Sequence, residues 1–569
     1  TRFLAPDSHH HNKVSLLLVY TKTKLRLYDM LPILENLGLL VLDQLTTRFR
    51  LPGNANNGLG YVQSYRLMTV NKQPLDEPVY QQALADIIGA IFRKKVRNDR
   101  LNQLVLNTPL NYHHVNVLRT YCQMYAQVQP MYAKGLTHVL NQYPDCTEQL
   151  MRYFIAKFNP ELSESVKDRL DQGLPELEQQ FFGLIKPIQN LSDDRVFREL
   201  FMLVKATMRT NAYQHNRLSD TAIAIKIHSQ QVPFMPQPVP WAEIYVQDTF
   251  LEGVHLRFGP VSRGGLRWSS RPNDFRTEIL GLVKAQTLKN VLIVPDGSKG
   301  GFILRMDPEV ENSTDFVQHH YQRFIAAMLD ITDNKTQAGD VVMPENCLVY
   351  DAPDPYLVVA ADKGTASFSD LANSVSQRYQ FWLGDAFASG GQAGYDHKKE
   401  GITARGAWEC VKLHFMDQGV DCQQDTVTVV GIGDMSGDVF GNGLLRSESV
   451  SLVAAFNHQH IFVDPTPDAA ISYAERNRLF LLPRSLWSDY QANCISSGGG
   501  VFDRDAKAIV ITDEMKQVFG IDASTLSGVE LIQVLLSATV DLIWFGGIGT
   551  YIKATHERHS SVGDPANDE

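Results

Sequence analysis

The feature that most constrains the fold is a glycine-rich turn between an apolar strand and a helix. The chain reads TVTVVGIGDMSGDVFGNGLL, in which Gly431, Gly433 and Gly437 follow the strand-like residues 426–430 and open a helical segment. In this context Gly431 permits a tight turn, and Gly433 lets the backbone approach a pyrophosphate at the helix N-terminus. Gly437 would allow close packing. The spacing GxGxxxG is one residue longer than the usual dinucleotide fingerprint, so a plain tight turn is the alternative.

The segments around this turn alternate between strand and helix. SLVAAF, HIFVD, AIVIT and DLIWFGG are strand-like and are separated by helical stretches. This pattern predicts a parallel, doubly wound sheet, and we expect a Rossmann-like nucleotide-binding domain over residues 421–569. An acid that binds the ribose is expected 20–30 residues after the turn, where the candidates are Asn457 and Asp464. Neither precedes an arginine that would bind a 2′-phosphate, which favours NAD over NADP.

The rest of the chain predicts three further domains, so the fold class is multidomain α+β and α/β. Residues 1–75 have the order β-α-β-β of a small α+β module. Residues 76–218 carry apolar stripes of helical period and few glycines, which indicates a helical domain. Residues 219–420 open with the strand-like AIAIKIH, EIYVQDTF and GVHLRFG and form an α/β domain. A length of 569 residues is sufficient for several domains.

Basic residues cluster among the glycines of the third domain, beginning with the motif RGGLR over residues 263–267. Arg263, Lys289 and Lys299 each lie beside a glycine or near the end of a segment. The stretch LVKAQTLKNVLIVP runs from helix into an apolar strand, which would direct Lys289 inward. Buried lysines are costly unless an anion pairs with them. A dicarboxylate substrate would supply two such partners; the alternative is that the lysines extend into solvent.

Asp362 is the candidate acid. It follows the hydrophobic strand of VVAADKGTASFSD and enters a Gly-Thr turn. A carboxylate there could donate or accept a proton during catalysis. The alternative is an aspartate that only caps a helix or stabilises a turn.

Composition excludes several other classes of protein. The 53 basic and 63 acidic side chains leave a net charge of −10, which argues against nucleic acid or an anionic membrane as a partner. The six cysteines lie far apart without CxxC, and the 17 histidines show no metal-ligand spacing. No run of about 18 apolar residues and no GxSxG motif is present. We therefore expect a cytoplasmic protein with reduced thiols and no bound metal.

Taken together, these segments resemble the very large NAD-specific glutamate dehydrogenases of bacteria. The resemblance spans nearly the whole chain, and the N-terminal module looks like an ACT domain around MLPILENLGL. The longest matching stretches are GVHLRFGPVSRGGLRWSSRPNDFRTEILGLVKAQTLKNVLIVPDGSKGGF, AADKGTASFSDLAN, TARGAWECVK, VVGIGDMSGDVFGNG, HIFVDPTPD and DLIWFGGIGTYIKA.

The resemblance implies a substrate site in the third domain. Arg263, before Gly264 and Gly265, matches the family lysine that holds the substrate's side-chain carboxylate, and its planar fork suits a carboxylate. Lys289 matches the lysine that holds the α-carboxylate. Lys299, in what reads as a GxKxG turn, matches the catalytic lysine, and Asp362 matches the catalytic aspartate.

The resemblance also implies a cofactor site. Thr403 matches a position near the nicotinamide, and the loop after DLIWF borders the same ribose. Relatives often have an acid where this chain has Asn457, so Asp464 is the reserve candidate for the ribose contact. The cofactor residues expected on these grounds are Thr403, Gly431, Gly433, Asp434, Met435, Ser436, Gly437, Asn457, Asp464, Gly546 and Gly547.

The implied reaction is the oxidation of L-glutamate by NAD to 2-oxoglutarate, ammonium and NADH. The alternatives are another amino-acid dehydrogenase, or a regulatory or scaffold module that binds amino acids through the ACT-like unit. An amino-acid effector and a homo-oligomer are implied by analogy. Because the chain stops shortly after DLIWFGGIGTYIKA, we expect a fragment of a larger polypeptide whose catalytic cleft is only partly built.

Overall fold

The computed structural model describes residues 2–4, 15–21, 24–50, 59–69, 78–162, 165–214, 217–289, 296–305, 314–360, 362, 365, 367–392, 397–483, 485–547 and 554–558. The chain divides into two compact units, Thr1–Ser389 and Gly390–Glu569. Among the helices so described, none combines the length and the apolar character that crossing a membrane requires.

The first unit begins with an antiparallel four-stranded sheet and one helix. Its elements are β1 (Arg2–Leu4), β2 (Ser15–Thr21), α1 (Leu27–Asn36), β3 (Leu39–Arg50) and β4 (Leu59–Thr69). The strand order is β1-β2-β4-β3. Helix α1 buries Met30, Ile33 and Leu34, which share one face because they lie three and four residues apart. The predicted β-α-β-β order is confirmed from β2 to β4.

A block of helices follows, as the apolar stripes predict. Its helices are α2 (Pro78–Phe92), α3 (Leu104–Asn107), α4 (Tyr112–Val128), α5 (Pro130–Ala133), α6 (Leu136–Gln142), α7 (Pro144–Phe158), α8 (Val166–Asp168), α9 (Leu174–Ile185) and α10 (Leu191–Ala206). Aromatic side chains fill the contacts between them; the rings of Phe181 and Phe201 stack with centroids 4.6 Å apart.

A mixed seven-stranded sheet completes the first unit. Its elements are β5 (Thr207–Thr210), β6 (Ile223–Ile227), β7 (Ala242–Gln247), β8 (Leu251–Arg257), β9 (Ser262–Trp268), α11 (Phe275–Lys289), β10 (Asp296–Leu304), α12 (Thr314–Leu329), β11 (Asn334–Lys335), β12 (Val341–Val342), β13 (Val359–Ala360) and α13 (Ser369–Arg378). Strands β11 and β12 form a separate ribbon, and the main order is β13-β9-β10-β8-β7-β6-β5. Helix α11 packs on one face, and α12 and α13 pack on the other.

The structure corrects one element of this sheet. GSKGGF is not a turn but part of strand β10, which pairs with β8 and β9. Its glycines permit close packing: a Cβ on Gly300 would lie 2.4 Å from Leu266, and one on Gly301 would lie 2.3 Å from Ile279. The predicted strand VLIVP falls outside the described residues.

The second unit contains a five-stranded sheet. Its elements are α14 (His397–Glu400), α15 (Ile402–Asp417), β14 (Val427–Ile432), α16 (Asp438–Leu444), β15 (Val450–Phe456), β16 (His460–Val463), α17 (Ala469–Leu481), β17 (Gly500–Asp503), β18 (Ile509–Val510), α18 (Asp513–Phe519), β19 (Thr525–Leu526), α19 (Gly528–Leu536) and β20 (Leu542–Phe545). The strand order is β17-β16-β15-β14-β20. Trp408 of α15 shares a core with Phe440 and Trp544.

The prediction of an all-parallel sheet is wrong for part of this unit. Strands β15, β14 and β20 are parallel, but β16 and β17 run antiparallel to their neighbours. Only residues 457–459 connect β15 to β16, too few for the crossover that a parallel pair needs. The segment AIVIT forms β18, which pairs with β19 outside the main sheet.

Candidate functional site

Lys299 and Asp362 meet at the parallel edge of the seven-stranded sheet. Strand β9 lies between β10 and β13, so Lys299 of β10 and Asp362, just after β13, flank the same strand. The ammonium of Lys299 forms an ion pair with Oδ2 of Asp362. The two side chains are only 16% and 14% exposed. The structure therefore brings both predicted catalytic residues together, and the anion beside Lys299 is a carboxylate of the chain itself.

The turn after β13 is fastened to β9 by hydrogen bonds. The hydroxyl of Thr365 donates to the carbonyl oxygen of Leu266 at 2.6 Å. The backbone N–H of Asp362 donates to Oγ1 of Thr365 at 3.1 Å, and the N–H of Thr365 donates to the carbonyl oxygen of Asp362 at 3.1 Å. These bonds fix the backbone that carries the Asp362 carboxylate.

Arg267 and Glu278 extend the charged site, and sequence reasoning assigned neither a role. Nη2 of Arg267 lies 3.6 Å from Oδ1 of Asp362, and Nη1 lies 3.1 Å from Oε1 of Glu278. The hydroxyl of Ser269 donates to the other oxygen of Glu278. Arg267 belongs to the motif RGGLR of the basic cluster, so the sequence does contain a signal for it. Glu278 lies in the first turn of α11 and had no such signal, because only the packing of α11 on the sheet brings it near Arg267.

Arg263, Gly264 and Gly265 lie at the start of β9. Arg263 is exposed and shares a sheet face with Gly265 and Arg267, since side chains alternate along a strand. Gly264 cannot be replaced without moving the backbone, because a Cβ there would lie 1.6 Å from the carbonyl oxygen of Ser298. Lys289 is the last residue of α11, and its side chain is outside what the structure describes, so its place beside Arg263 stays a prediction.

In the second unit, the glycine turn and the end of β20 surround one phenylalanine. A Cβ on Gly431 would lie 2.6 Å from the ring of Phe440, and one on Gly433 would lie 2.7 Å from it. Gly433 also has φ +138°, which favours glycine. A Cβ on Gly546 would lie 2.6 Å from Cβ of Phe440, and the Gly546 N–H donates to the carbonyl of Ile432 at 2.8 Å.

The packing predicted for Gly437 is close, but it is looser than the packing at these three glycines. Gly437 precedes α16, and the nearest atom to a Cβ there would be the carbonyl oxygen of Asp434 at 3.3 Å. The side chain of Met435 is buried in the core. The hydroxyl of Ser436 donates to Oδ1 of Asp434. Asp434 and Ser436 are both half-buried, and the two oxygens of the Asp434 carboxylate accept hydrogen bonds from Ser436 and Asn457.

The two ribose candidates occupy different environments. Asn457 is 3% exposed; its amide nitrogen donates to Oδ2 of Asp434 at 2.9 Å, and its oxygen accepts from the N–H groups of Gln459 and His460. Asp464 is fully buried and accepts from Ser496, and burial raises the pKa of its carboxyl above the ordinary value. The ribose contact stays a prediction. Of the two acids, Asp434 is more accessible than Asp464.

Two predicted cofactor positions remain. Thr403 is exposed in the first turn of α15, and Gly547 follows β20 with φ +83°. Gly547 directly follows Gly546 and so lies beside the glycine turn. Within the described ranges, no three side chains of His, Cys, Asp or Glu are grouped so that they could hold a metal ion.

Comparison with known families covers most of the chain. Residues 180–569 match "Bacterial NAD-glutamate dehydrogenase, catalytic domain", residues 96–160 match "Glutamate dehydrogenase, helical motif 3", and residues 1–75 match "Glutamate dehydrogenase, ACT3 domain". The catalytic-domain match alone spans more than half of the sequence. The chain belongs to the bacterial NAD-glutamate dehydrogenase family.

Curated relatives agree with this assignment. Proteins named NAD-specific glutamate dehydrogenase from Pseudomonas aeruginosa, Halomonas elongata and Mycobacterium tuberculosis are 48%, 46% and 45% identical over 100%, 98% and 95% of this chain. The alignments cover 35%, 34% and 34% of those proteins. The chain thus spans about a third of the length of the curated relatives it matches.

Proposed function

We propose that this chain supplies the catalytic part of an NAD-dependent glutamate dehydrogenase. In the reaction, L-glutamate, NAD and water give 2-oxoglutarate, ammonium, NADH and a proton. The observation on which the proposal depends is the ion pair of Lys299 and Asp362 beside strand β9, in a chain 48% identical to an enzyme of that name. A base and an acid in contact are the groups that proton transfer at an amino-bearing carbon requires.

Basic side chains on the first unit would bind the substrate's two carboxylates. Arg263 is exposed at the start of β9, and its guanidinium can bind the side-chain carboxylate through two parallel hydrogen bonds. Lys289 would bind the α-carboxylate. Gly265 would keep a side chain out of the strip of sheet between Arg263 and Arg267, and Gly264 lets strands β9 and β10 approach closely.

Lys299 and Asp362 would carry out the proton transfers. As the hydride leaves the α-carbon, the amino group becomes an iminium, and Lys299 would accept a proton from the water that attacks it. Asp362 would move protons to and from the nitrogen until ammonia leaves as ammonium. Their mutual contact places both groups at one carbon, where Lys299 acts as the base in its neutral form.

The second unit would bind the cofactor. Bound NAD supplies the hydride acceptor, C4 of its nicotinamide ring. The pyrophosphate would lie against the turn 431–437, whose fit is supported by the positive φ of Gly433, a conformation that favours glycine. Thr403, Gly546 and Gly547 would border the nicotinamide ribose, and Asp434, Asn457 or Asp464 would lie nearest the adenine ribose.

The domain-level expectations belong to the same proposal. They are an ACT-like module over 1–75, a helical domain over 76–218, a substrate domain over 219–420 and a Rossmann-like domain over 421–569. The ACT3 and helical-motif matches support the first two. The proposal also includes a cytoplasmic location, assembly into a homo-oligomer and a response to an amino-acid effector.

The test is NADH formation from L-glutamate and NAD by the natural full-length protein that contains this chain. Replacing Lys299 by alanine is expected to lower kcat by about 10²- to 10⁴-fold, because the general base is removed. Lys412→Ala is the matched control, since that lysine is half exposed and pairs with Glu409 on the surface of α15.

Each outcome separates the alternatives. Activity that Lys299→Ala removes and Lys412→Ala leaves intact supports the proposal. Turnover of leucine or valine in preference to glutamate would identify a different amino-acid dehydrogenase. A protein that neither binds NAD nor turns over any amino acid would leave the regulatory module as the better description.

A further inference from the structure

Four charged side chains form a row across the candidate active site, and their signs alternate. Lys299 contacts Oδ2 of Asp362, Arg267 approaches Oδ1 of the same carboxylate, and Glu278 binds the other end of the Arg267 guanidinium. The hydroxyl of Ser269 closes the row at Glu278. The row joins four elements: β10, the turn after β13, β9 and α11.

The carboxylate of Asp362 needs this support because of where it lies. It follows β13, a strand of only two residues, and two hydrogen bonds with Thr365 hold its main chain. The contact with Lys299 restrains one oxygen of the carboxylate. Nη2 of Arg267 lies 3.6 Å from the second oxygen, so each oxygen of the carboxylate lies near a different cation.

Arg267 is itself held in place. Glu278 accepts from Nη1 at 3.1 Å, and both side chains are largely buried, so the guanidinium has little freedom to move away. Arg267 also separates two carboxylates: Glu278 and Asp362 contact the same guanidinium from different sides. Removing the arginine would leave two negative charges near each other in a partly buried place, where repulsion is strong.

We propose that Arg267, held by Glu278, is a positioning residue that fixes the Asp362 carboxylate against Lys299. This inference depends on the proposed function, since it assigns Arg267 to the same reaction. Arg267 acts through Asp362 and contributes orientation and charge balance. Glu278 sets the direction of the guanidinium and tempers its positive charge.

The experiment compares Arg267→Gln, Arg267→Lys and Glu278→Gln in the full-length protein, with pH profiles of kcat and kcat/KM for glutamate. Arg267→Gln is expected to lower kcat about ten- to a hundredfold, with KM changed less than about threefold, as a misplaced catalytic group predicts. The acid limb of the pH profile of Arg267→Gln is expected to move to higher pH by about one unit, because a cation beside Asp362 is lost. Arg267→Lys restores part of kcat.

The direction in which Glu278→Gln moves the acid limb of the pH profile is the decisive observation. This substitution removes a negative charge, so its acid limb is expected to move to lower pH, opposite to Arg267→Gln. General damage to the fold would not move the two limbs in opposite directions. Arg198→Gln is the control, because Arg198 also pairs with a carboxylate, Asp194, but on helix α10. It should leave both profiles unchanged.

Crystal structures of the wild type and of Arg267→Gln make the result independent of activity. If wild-type protein oxidises glutamate but Arg267→Gln keeps its kcat and acid limb, or both variants shift the limb in one direction, the positioning role is overturned while the proposed function stands. If wild-type protein shows no such activity, the proposed function fails. In that case a displaced Asp362 side chain in Arg267→Gln supports positioning, and an unmoved one overturns it.

Discussion

The side-chain amide of Asn457 joins the end of β15 to the glycine turn after β14. Its nitrogen donates a 2.9 Å hydrogen bond to Oδ2 of Asp434, while its oxygen accepts from the N–H groups of Gln459 and His460 at 2.9 and 2.8 Å. One buried amide thus stabilises both the hairpin to β16 and the turn. An asparagine suits this position better than an acid, because only the amide can both donate and accept.

Replacing Asn457 by aspartate should destabilise the second unit. The change places a carboxylate against Asp434 and removes the donor, for a cost of about 1–3 kcal/mol at neutral pH. The cost should shrink as the pH is lowered and one acid becomes protonated. Thermal unfolding at two pH values measures it. The double variant Asn457→Asp/Asp434→Asn should recover most of the loss, and a double variant no better than the single would contradict this account.

Gly546→Ala tests the packing around Phe440. The new methyl would lie 2.6 Å from Cβ of Phe440 and 2.7 Å from the carbonyl oxygen of Ile432, so strand β20 must shift. We expect a loss of about 1–3 kcal/mol in the free energy of unfolding and weaker NAD binding, measured by denaturation and titration. Gly406→Ala is the control, since a Cβ at that helical position meets nothing within 4 Å. Equal effects of the two changes would refute the packing argument.

Arg263→Leu tests the recognition of the side-chain carboxylate. Loss of a charge-assisted contact worth about 1.5–3 kcal/mol should raise KM for L-glutamate about ten- to a hundredfold. Steady-state kinetics with norvaline, which lacks that carboxylate, provide the comparison: its kcat/KM should not fall. An unchanged KM for glutamate would assign the carboxylate to another residue.

The burial of His255 leads us to expect that the protein loses stability in acid. His255 lies on β8 with neither ring nitrogen bonded to any described residue, and burial lowers its pKa from 6.5 to about 3. Because the folded-state pKa is the lower one, the stabilisation is complete above pH 6.5 and is lost as the pH falls toward 3. Between pH 7 and pH 5 this group alone costs about 2 kcal/mol.

Urea unfolding of His255→Leu at pH 7 and pH 5 measures that contribution. The variant should lose about 2 kcal/mol less than the wild type over this interval. His458→Leu, at an exposed position of the hairpin, should follow the wild type. A His255 variant with the wild-type pH dependence would show that other groups control the acid transition.

Local sequence patterns predicted the elements that bury a single face or stripe. The alternating module of β2 to β4, the helical block and the strand–turn–helix at 427–444 follow from spacing that each segment shows by itself. The motif RGGLR and the residues Lys299 and Asp362 could be singled out for the same reason.

The same patterns failed where neighbours decide the conformation. GSKGGF reads as a turn, but its glycines form strand β10 because Leu266 and Ile279 occupy the space above them. Strand β16 reads as one more parallel strand, but three connecting residues force it to run antiparallel. Asp464 reads as a candidate acid for the ribose contact, but the fold buries it fully.

The sequence was sufficient to predict the class of most segments, the family and the residue types available for chemistry, because these depend on composition and on spacing within a few residues. Only the tertiary structure decided which charges meet. Glu278 reaches Arg267 because α11 packs on the sheet, and Asp362 reaches Lys299 because β13 and β10 pair on either side of β9. Those contacts join residues 11 and 63 positions apart, and strand order and helix packing determine them rather than local periodicity.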